Sequence, residues 1–196
     1  MDNDVEKPAK EASSVLRTGG IIVYPTETVY GLGGNALDED VVSKIFEIKG
    51  RGAGKPMIVL VKDFKMAGQV ADLGNYKPLL KKYWPGALTG IFRTVAKFPS
   101  GIISREGTVA IRISPHPFVK KLFEFVDFPL ISTSANKSGD KNSSTIKEVK
   151  KSLGTSSRLV DYFVDWSSLD EAVPSTVVSF ISNTPKVLRQ GSIIFL

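Results

Sequence analysis

Two arginines lie inside otherwise apolar segments of the chain, Arg112 in GTVAIRIS and Arg189 in KVLRQG. A guanidinium group in an apolar strand is costly to bury unless a partner compensates its charge. One interpretation is that each arginine pairs with a core carboxylate such as Glu27 or Asp161. The other is that each stands at the edge of a sheet and binds a carboxylate or phosphate with its planar fork of donors. The sequence leaves both interpretations open.

Hydroxyl and amide side chains are concentrated in PLISTSANKSG, where Ser132, Thr133, Ser134 and Asn136 follow an apolar run. Short hydroxyls and exposed backbone N–H groups bind phosphate without adding charge. A nucleophilic serine is the rival hypothesis, but it needs a base, and the single histidine, His116, is the only candidate. Neither serine stands in a G-x-S-x-G elbow. The segment therefore favours anion binding over serine catalysis.

A second hydroxyl-rich stretch, YPTETVYGLG, carries Tyr24, Thr26, Thr28 and Tyr30. It follows the apolar run GIIVY, and ligands of open α/β sheets bind beyond the ends of strands. These hydroxyls are therefore candidates for the recognition of a small polar substrate. The alternative is that threonine and tyrosine simply suit strand edges and turns.

Two glycine-rich stretches come close to nucleotide-binding motifs without meeting their requirements. KGRGAGKPM, residues 49–57, lacks the first glycine and the hydroxyl of a P-loop, because Lys49 and Pro56 stand at those positions. It follows a helical pattern, so it indicates a helix C-cap with cations near the negative end of the helix dipole. GLGGNA, residues 31–36, fits G-x-G-x-x-A, but PTETVY separates it from the preceding strand. Its glycines therefore indicate a turn and close backbone packing.

Alternating apolar and helical patterns predict the elements that carry these residues. Helices are predicted from Asp38 or Asp40 to Lys49 and at 77–84, 118–126 and 145–153. His116 precedes Pro117 and indicates a helix start rather than a catalyst. Strands are predicted at 20–24, 57–61, 88–95, 107–114, 129–135, 158–165, 175–180 and 186–195. Because some connections are too short for helical crossovers, we expect an α/β domain with a twisted mixed β-sheet flanked by helices.

The composition excludes several classes of protein. With no cysteine and one histidine among 196 residues, the chain has no disulfide framework, no cysteine nucleophile and no multi-histidine metal site. The charged N-terminus lacks an apolar signal region, and no apolar run approaches the roughly 18 residues of a membrane span. We therefore expect a cytoplasmic protein with no membrane partner. The net charge of +6 and the pI near 9.4 suit nucleotide or RNA partners.

Seven motifs occur in the order YPTETVYGLG, KGR with a following proline and apolar strand, WPG, VAIR, STSANKSG, STVV and LRQG. Together they resemble the threonylcarbamoyl-AMP synthase family of YrdC-like proteins, over roughly residues 15 to 195. The resemblance implies an N-terminal extension at 1–14 and a single catalytic domain at 15–196, with a cationic concave site. It implies a nucleotidyltransferase that joins ATP, L-threonine and bicarbonate into L-threonylcarbamoyladenylate and pyrophosphate, with Mg²⁺ arriving on the ATP. No metal site of the protein's own is expected.

The resemblance also implies roles for particular residues. It implies that ATP is bound by Lys49, Arg51, Thr108, Ser134, Asn136, Asn142 and Arg189, and that Lys49 and Arg51 are catalytic. It implies that threonine is bound by Thr28, Arg112, Ser132, Ser175 and Thr176. The chain departs from the family's pattern at Gly52, at Lys55-Pro56-Met57, at Leu60 and at Asn142. The glycine-rich loop 50–54 and the loop 137–144 are candidate lids over the site.

The implied product serves tRNA modification, because its threonylcarbamoyl group is later transferred to adenosine 37 of tRNAs by proteins of the tRNA-modification complex. The main alternative is a non-enzymatic domain that binds tRNA or other double-stranded RNA by shape and phosphate contacts. A second alternative is a carbamoyl-adenylate domain like those inside hydrogenase-maturation proteins. The absence of cysteine argues against that second alternative.

Overall fold

The computed structural model of the chain describes residues 3–50, 56–166, 169 and 173–196. Within these ranges the helices are α1 (Asn3–Arg17), α2 (Glu39–Lys49), α3 (Phe64–Val70), α4 (Lys77–Leu80), α5 (Pro117–Phe125) and α6 (Ile146–Leu153). Short 3-10 helices occupy Gly74–Tyr76 and Gly154–Leu159. The strands are β1 (Ile22–Tyr24), β2 (Gly31–Gly33), β3 (Ile58–Leu60), β4 (Leu88–Arg93), β5 (Thr108–Arg112), β6 (Leu130–Ile131), β7 (Thr133–Ser134), β8 (Tyr162–Phe163), β9 (Thr176–Ser179) and β10 (Lys186–Arg189).

These strands form two mixed sheets rather than the one sheet that the sequence predicts. The smaller sheet has the order β7-β2-β1-β8 and the larger the order β10-β9-β4-β5-β3-β6. The pairs β1/β8, β3/β5 and β4/β9 are parallel, and the other pairs are antiparallel. The prediction of a mixed α/β fold with flanking helices is therefore confirmed, with the strands divided between two sheets.

The segment predicted as one strand at 129–135 joins the two sheets. Its first part, β6, pairs with β3 in the larger sheet, and its second part, β7, pairs with β2 in the smaller sheet. Between them, the N–H of Ser132 donates to the carbonyl of Ile58 at 2.8 Å. The ladder hydrogen bonds thus pass from one sheet to the other within five residues, which a local apolar pattern does not reveal.

Close packing holds this junction in place. A Cβ atom on Gly33 would lie 2.0 Å from the carbonyl oxygen of Ile131, closer than a real Cβ contact allows. The hydroxyl of the fully buried Tyr24 donates to the same carbonyl at 3.0 Å. The interpretation of GLGGNA as a close-packing segment therefore fits the structure, although Gly31–Gly33 forms a strand and not only a turn.

Capping residues stand at helix ends that the sequence predicts, at both ends of α2 and at the start of α6. Asp38 accepts the N–H groups of Asp40 and Val41 at the start of α2, and Gly50 closes that helix with a left-handed φ of 60°. Thr145 and Glu148 form a capping box at α6. The helix at 77–84 is shorter than predicted, because α4 ends at Leu80 ahead of the Pro85-Gly86 breaker.

The predicted N-terminal extension is continuous with the domain. Helix α1 crosses the predicted boundary after residue 14, and Ala9, Ala12 and Leu16 are buried in the core. The segment is polar overall, so its sequence did not reveal that Ala9, Ala12 and Leu16 form a buried apolar face. In the part of the chain that the structure describes, no helix combines the length and apolar character that crossing a membrane requires.

Two glycine substitutions test the packing at the sheet junction. We expect Gly33→Ala to lower the free energy of unfolding by about 1–3 kcal/mol, because its methyl group would overlap a backbone carbonyl that cannot move freely. Gly68→Ala is the matched control, since Gly68 lies in α3 with open space around it. That control should raise the stability by up to about 1 kcal/mol through helix propensity. Urea denaturation of both variants measures the effect, and an unchanged midpoint for Gly33→Ala contradicts the proposed close contact.

Candidate active site

A cavity of about 270 Å³ opens beside the junction of the two sheets. It is framed by the loop after β1, the start of β3, the end of β5, the β6–β7 segment and the strands β9 and β10. Its polar lining consists of Thr28, Arg112, Ser132, Thr133, Ser134, Asn142, Ser175 and Arg189. Its apolar lining consists of Val29, Pro56, Met57, Ile58 and Pro174. Among the described residues, the lining therefore contains two guanidinium groups, several hydroxyls, one amide and no carboxylate.

Arg112 reaches the cavity from the end of β5, and its side chain is only 4% exposed. Its Nη1 lies 3.3 Å from Oε1 of Glu27 and donates to Oγ1 of Thr28 at 3.0 Å. Ser114 donates a short hydrogen bond to the other carboxylate oxygen of Glu27. The pairing with Glu27 is therefore present, and the same arginine also lines the cavity. Its buried Nε makes no hydrogen bond.

Arg189 reaches the cavity from the end of β10. Its Nε and Nη2 donate to the carbonyl of Ser175 at 3.2 and 2.9 Å, and Nη2 also lies 3.3 Å from the Ser175 hydroxyl. The residue is exposed, yet partial desolvation of its guanidinium, and then the positive charge of Arg112, lowers its pKa. Both arginines line the same cavity, and their positive charges favour an anionic ligand there.

The loop after β1 holds Thr28 against the cavity. The hydroxyl of Thr26 donates to the carbonyl of Val29 at 2.6 Å and accepts the N–H groups of Thr28 and Val29. Its Oγ1 also lies 3.0 Å from that of Thr28. Thr26 is almost fully buried, so it organises the loop, while Thr28 and Val29 line the cavity. Of the four hydroxyls of this stretch, that of Thr28 belongs to the lining and that of Thr26 organises the loop. The Tyr24 and Tyr30 hydroxyls donate to the carbonyls of Ile131 and Trp166.

The β6–β7 segment delivers Ser132 and Ser134 to the cavity and then turns at Asn136. The Ser134 hydroxyl donates to Oδ1 of Asn136 at 2.6 Å. His116 lies elsewhere in the network: its Nδ1 accepts the N–H of Phe118 as the cap of α5. Among the residues that the structure describes, no hydrogen bond joins His116 to either serine. The geometry therefore gives no support to serine catalysis.

Four of the predicted site residues do not line the cavity. Lys49 is 2% exposed, and its Nζ lies against oxygens of Ser134 and Asn136. Thr108 shares a hydrogen bond with the Ser104 hydroxyl at 2.8 Å. Thr176 is fully buried and donates to the carbonyl of Ile193 at 2.6 Å. Asn136, the fourth, is 4% exposed behind the turn. Their predicted roles in ligand binding stay predictions.

Arg51 and most of the first candidate lid lie outside the described residues, so their predicted roles stay predictions. The second candidate lid, 137–144, is tied down at several points. Asn136 Nδ2 donates to the carbonyls of Asp140 and Lys141, and the Ser152 hydroxyl donates to the Asp140 carboxylate at 2.7 Å. Asn142, one residue further on, lines the cavity. Opening this loop would require these hydrogen bonds to break.

The sequence did not single out the apolar side of the cavity, whereas Thr133 belongs to the hydroxyl-rich segment that it did single out. Val29, Pro56, Met57, Ile58 and Pro174 are ordinary strand and loop residues, and nothing in their types distinguishes them from core residues. Within the described ranges, no cluster of three or more histidine, cysteine, aspartate or glutamate side chains is placed to bind a metal ion.

These features define a mixed α/β protein with an open cavity of hydroxyl, amide and guanidinium groups. The family model for Sua5, YciO and YrdC, whose description is "Telomere recombination", matches residues 14–191. The chain belongs to this family.

Individual relatives agree with this assignment. The threonylcarbamoyl-AMP synthase of Pyrococcus abyssi (strain GE5 / Orsay) is 33% identical over 186 residues, which cover 93% of this chain and 53% of the relative. The enzyme of the same name from Bacillus subtilis (strain 168) is 37% identical over 190 residues, with the same coverages. The crystal structure of P. abyssi Sua5 complexed with L-threonine superposes with a TM-score of 0.87 at 34% identity, over 95% of this chain and 54% of that one. The chain thus spans about half the length of these relatives.

His116 provides a test of the packing behind the cavity. Its ring is buried and lies edge-on to Trp166, with 5.1 Å between ring centroids. Burial lowers the pKa of His116 to about 4, and the negative charge of Glu27 opposes that shift only in part. The neutral ring is therefore the form that caps α5.

We expect the protein to lose stability as the pH falls from about 6.5 towards 4, because the unfolded chain then takes up a proton that the folded protein excludes. The loss is at most about 3 kcal/mol. His116→Asn keeps a capping acceptor without a titrating ring, and the chain has no other histidine. Denaturant unfolding at several pH values should give a shallower pH dependence for this variant. Parallel curves for both proteins would contradict the buried neutral histidine.

Proposed function

We propose that the chain is an L-threonylcarbamoyladenylate synthase, a nucleotidyltransferase that uses ATP, L-threonine and bicarbonate. The observation that carries the proposal is the convergence of Arg112 and Arg189, from different strands, on one cavity whose described lining residues include no carboxylate. Such a lining suits anionic ligands. Two relatives that match 93% of this chain carry the corresponding enzyme name, and the proposal transfers that activity to this chain.

The proposed reaction brings two anions together. Bicarbonate first takes up a proton and loses water to give CO₂. The threonine amine then adds to CO₂ and gives up a proton, which leaves a carbamate. A carbamate oxygen then attacks the α-phosphorus of ATP, and the bond to the β-phosphate breaks to release pyrophosphate. Because both partners are negatively charged, the site's contribution is to position them and to balance their charge. No side-chain nucleophile is needed for either step.

The lining residues divide between the two substrates in this proposal. Arg112, with Thr28 and Ser132 beside it, binds the threonine carboxylate and hydroxyl, and Ser175 completes that side. Arg189, Ser134 and Asn142 face the triphosphate. Arg51 is proposed to join the phosphate side, although it lies outside the described residues. Thr108 and Thr176 act through the strands they stabilise, since their hydroxyls are bonded to protein groups.

Mg²⁺ enters the proposal as the counter-ion of ATP, because the lining residues that the structure describes offer no carboxylates to hold the ion independently. The product is a reactive mixed anhydride, so prompt transfer to tRNA-modification proteins is expected. We therefore propose a cytoplasmic location, where ATP and tRNA are available. We also propose that the chain contacts tRNA directly, which binding of the purified protein to tRNA would test.

Pyrophosphate release tests the activity directly. The purified chain with ATP, Mg²⁺, L-threonine and bicarbonate should release pyrophosphate, and omission of either threonine or bicarbonate should abolish the release. Release that does not depend on threonine contradicts the proposal. Absence of release at every Mg²⁺ concentration, together with double-stranded RNA binding that weakens steeply with salt, would instead support the non-catalytic alternative.

Two arginine variants test the proposed division of the site. Arg112→Lys should raise the KM for threonine by about 10- to 100-fold and change the KM for ATP little, because an ammonium group cannot reproduce the bidentate fork. Arg189→Lys should do the reverse. Arg93→Lys is the matched control, since Arg93 is exposed at the end of β4 and outside the cavity. Equal effects of the first two variants on both substrates would contradict the division.

A further inference from the structure

Lys49 is the last residue of α2, and its ammonium group is buried in a set of protein oxygens. Nζ lies 2.6 Å from the carbonyl oxygen of Ser134, 2.7 Å from that of Asn136 and 3.1 Å from Oδ1 of Asn136. The Ser134 hydroxyl is more distant, at 3.4 Å. An ammonium group has three protons, and each of the three nearer oxygens lies within donating distance of them. The side chain is thereby committed to the turn that follows β7.

The ammonium also determines which way the Asn136 amide faces. A cation attracts the carbonyl end of an amide, and Oδ1 accepts from both Lys49 Nζ and the Ser134 hydroxyl. The opposite end, Nδ2, then points at the carbonyls of Asp140 and Lys141, to which it donates at 2.7 and 3.1 Å. With the ammonium removed, the carbonyl oxygens of Ser134 and Asn136 would lose this donor in either orientation of the amide.

A second connection runs through the backbone of the same residue. The carbonyl of Lys49 accepts the N–H of Ser138 at 3.2 Å, while its ammonium binds the turn two residues earlier. The end of α2 therefore contacts the segment 134–138 at two separate places. Asn142, which lines the cavity, directly follows the two carbonyls that Asn136 holds.

We propose that Lys49 is a positioning residue that orders the segment from Ser134 to Asn142 through the Asn136 amide, and so shapes the cavity without contacting its ligand. The part of this proposal that concerns catalysis depends on the synthase activity proposed above. The part that concerns loop order does not, because it refers to the ligand-free protein. In this respect the proposal replaces the direct phosphate contact that the sequence predicts for Lys49.

Amide hydrogen exchange of the ligand-free protein separates the two roles. Lys49→Met keeps the apolar stem and removes the donors, and we expect exchange at residues 136–142 to accelerate by about tenfold or more, as buried carbonyls lose their partner. Lys49→Arg should accelerate it too, because a planar fork does not fit this convergent set of oxygens. Lys44→Met is the matched control on the exposed face of α2 and should leave exchange unchanged. Unchanged protection of residues 136–142 in Lys49→Met overturns the proposal.

Asn136→Asp gives an independent test if Lys49→Met unfolds globally. The substitution keeps an oxygen for the ammonium and removes the two donors to the loop, so exchange at 137–141 should rise while β1 and α2 stay protected. Unchanged exchange in that loop overturns the coupling through the amide.

Kinetics then link loop order to activity. If the chain releases pyrophosphate as proposed, Lys49→Met and Asn136→Asp should each lower kcat/KM for ATP by about 10- to 100-fold, and the double variant should be no worse than the poorer single variant. Additive losses would contradict a shared pathway. A chain without synthase activity would refute the proposed function and leave the exchange experiment to decide the role of Lys49.

Discussion

The candidate site depends on one constraint, the passage of a single segment from one sheet into the other. Leu130 and Ile131 complete the larger sheet, and Thr133 and Ser134 complete the smaller one. This passage requires a residue without a Cβ atom opposite Ile131, and that residue is Gly33. Because the segment belongs to both sheets, its serines lie beside residues from strand ends that are far apart in the sequence. The cavity is therefore a consequence of how the sheets are joined, and not a groove between independent units.

Charges near the cavity are held by the protein before any ligand binds. Arg112 is held by Glu27 and Thr28, and Arg189 by Ser175. A buried ion pair contributes little to stability by itself, because desolvation offsets its Coulomb energy. Its value lies in orientation, since donors that are already in place need no reorganisation when a charged ligand arrives. The unbonded Nε of Arg112 shows that this arrangement leaves donor capacity unused.

Local features of the sequence predicted much of the fold because caps and apolar periods act over a few residues. The start of α2 at Asp38, the cap at His116 and the pairing of Arg112 with an acid such as Glu27 all follow from short-range geometry or from charge balance. The division of strands between two sheets does not, since it depends on register between distant segments. The burial of Lys49 was also unpredictable, because lysines at helix ends are usually solvated and nothing nearby in sequence reveals the facing oxygens.

The chemistry open to the cavity follows from how its hydroxyls are bonded. The Ser134 proton is donated to an amide oxygen, which is too weak a base to activate the serine. The Ser175 hydroxyl lies 2.8 Å from that of Thr89, which is equally unsuited as a base. Neither hydroxyl is therefore prepared for covalent catalysis, whereas both lie beside groups that fix their orientation. A lining of this kind favours reactions in which the substrates react with each other while the protein places them, and the transfer of an adenylyl group to a carbamate is such a reaction.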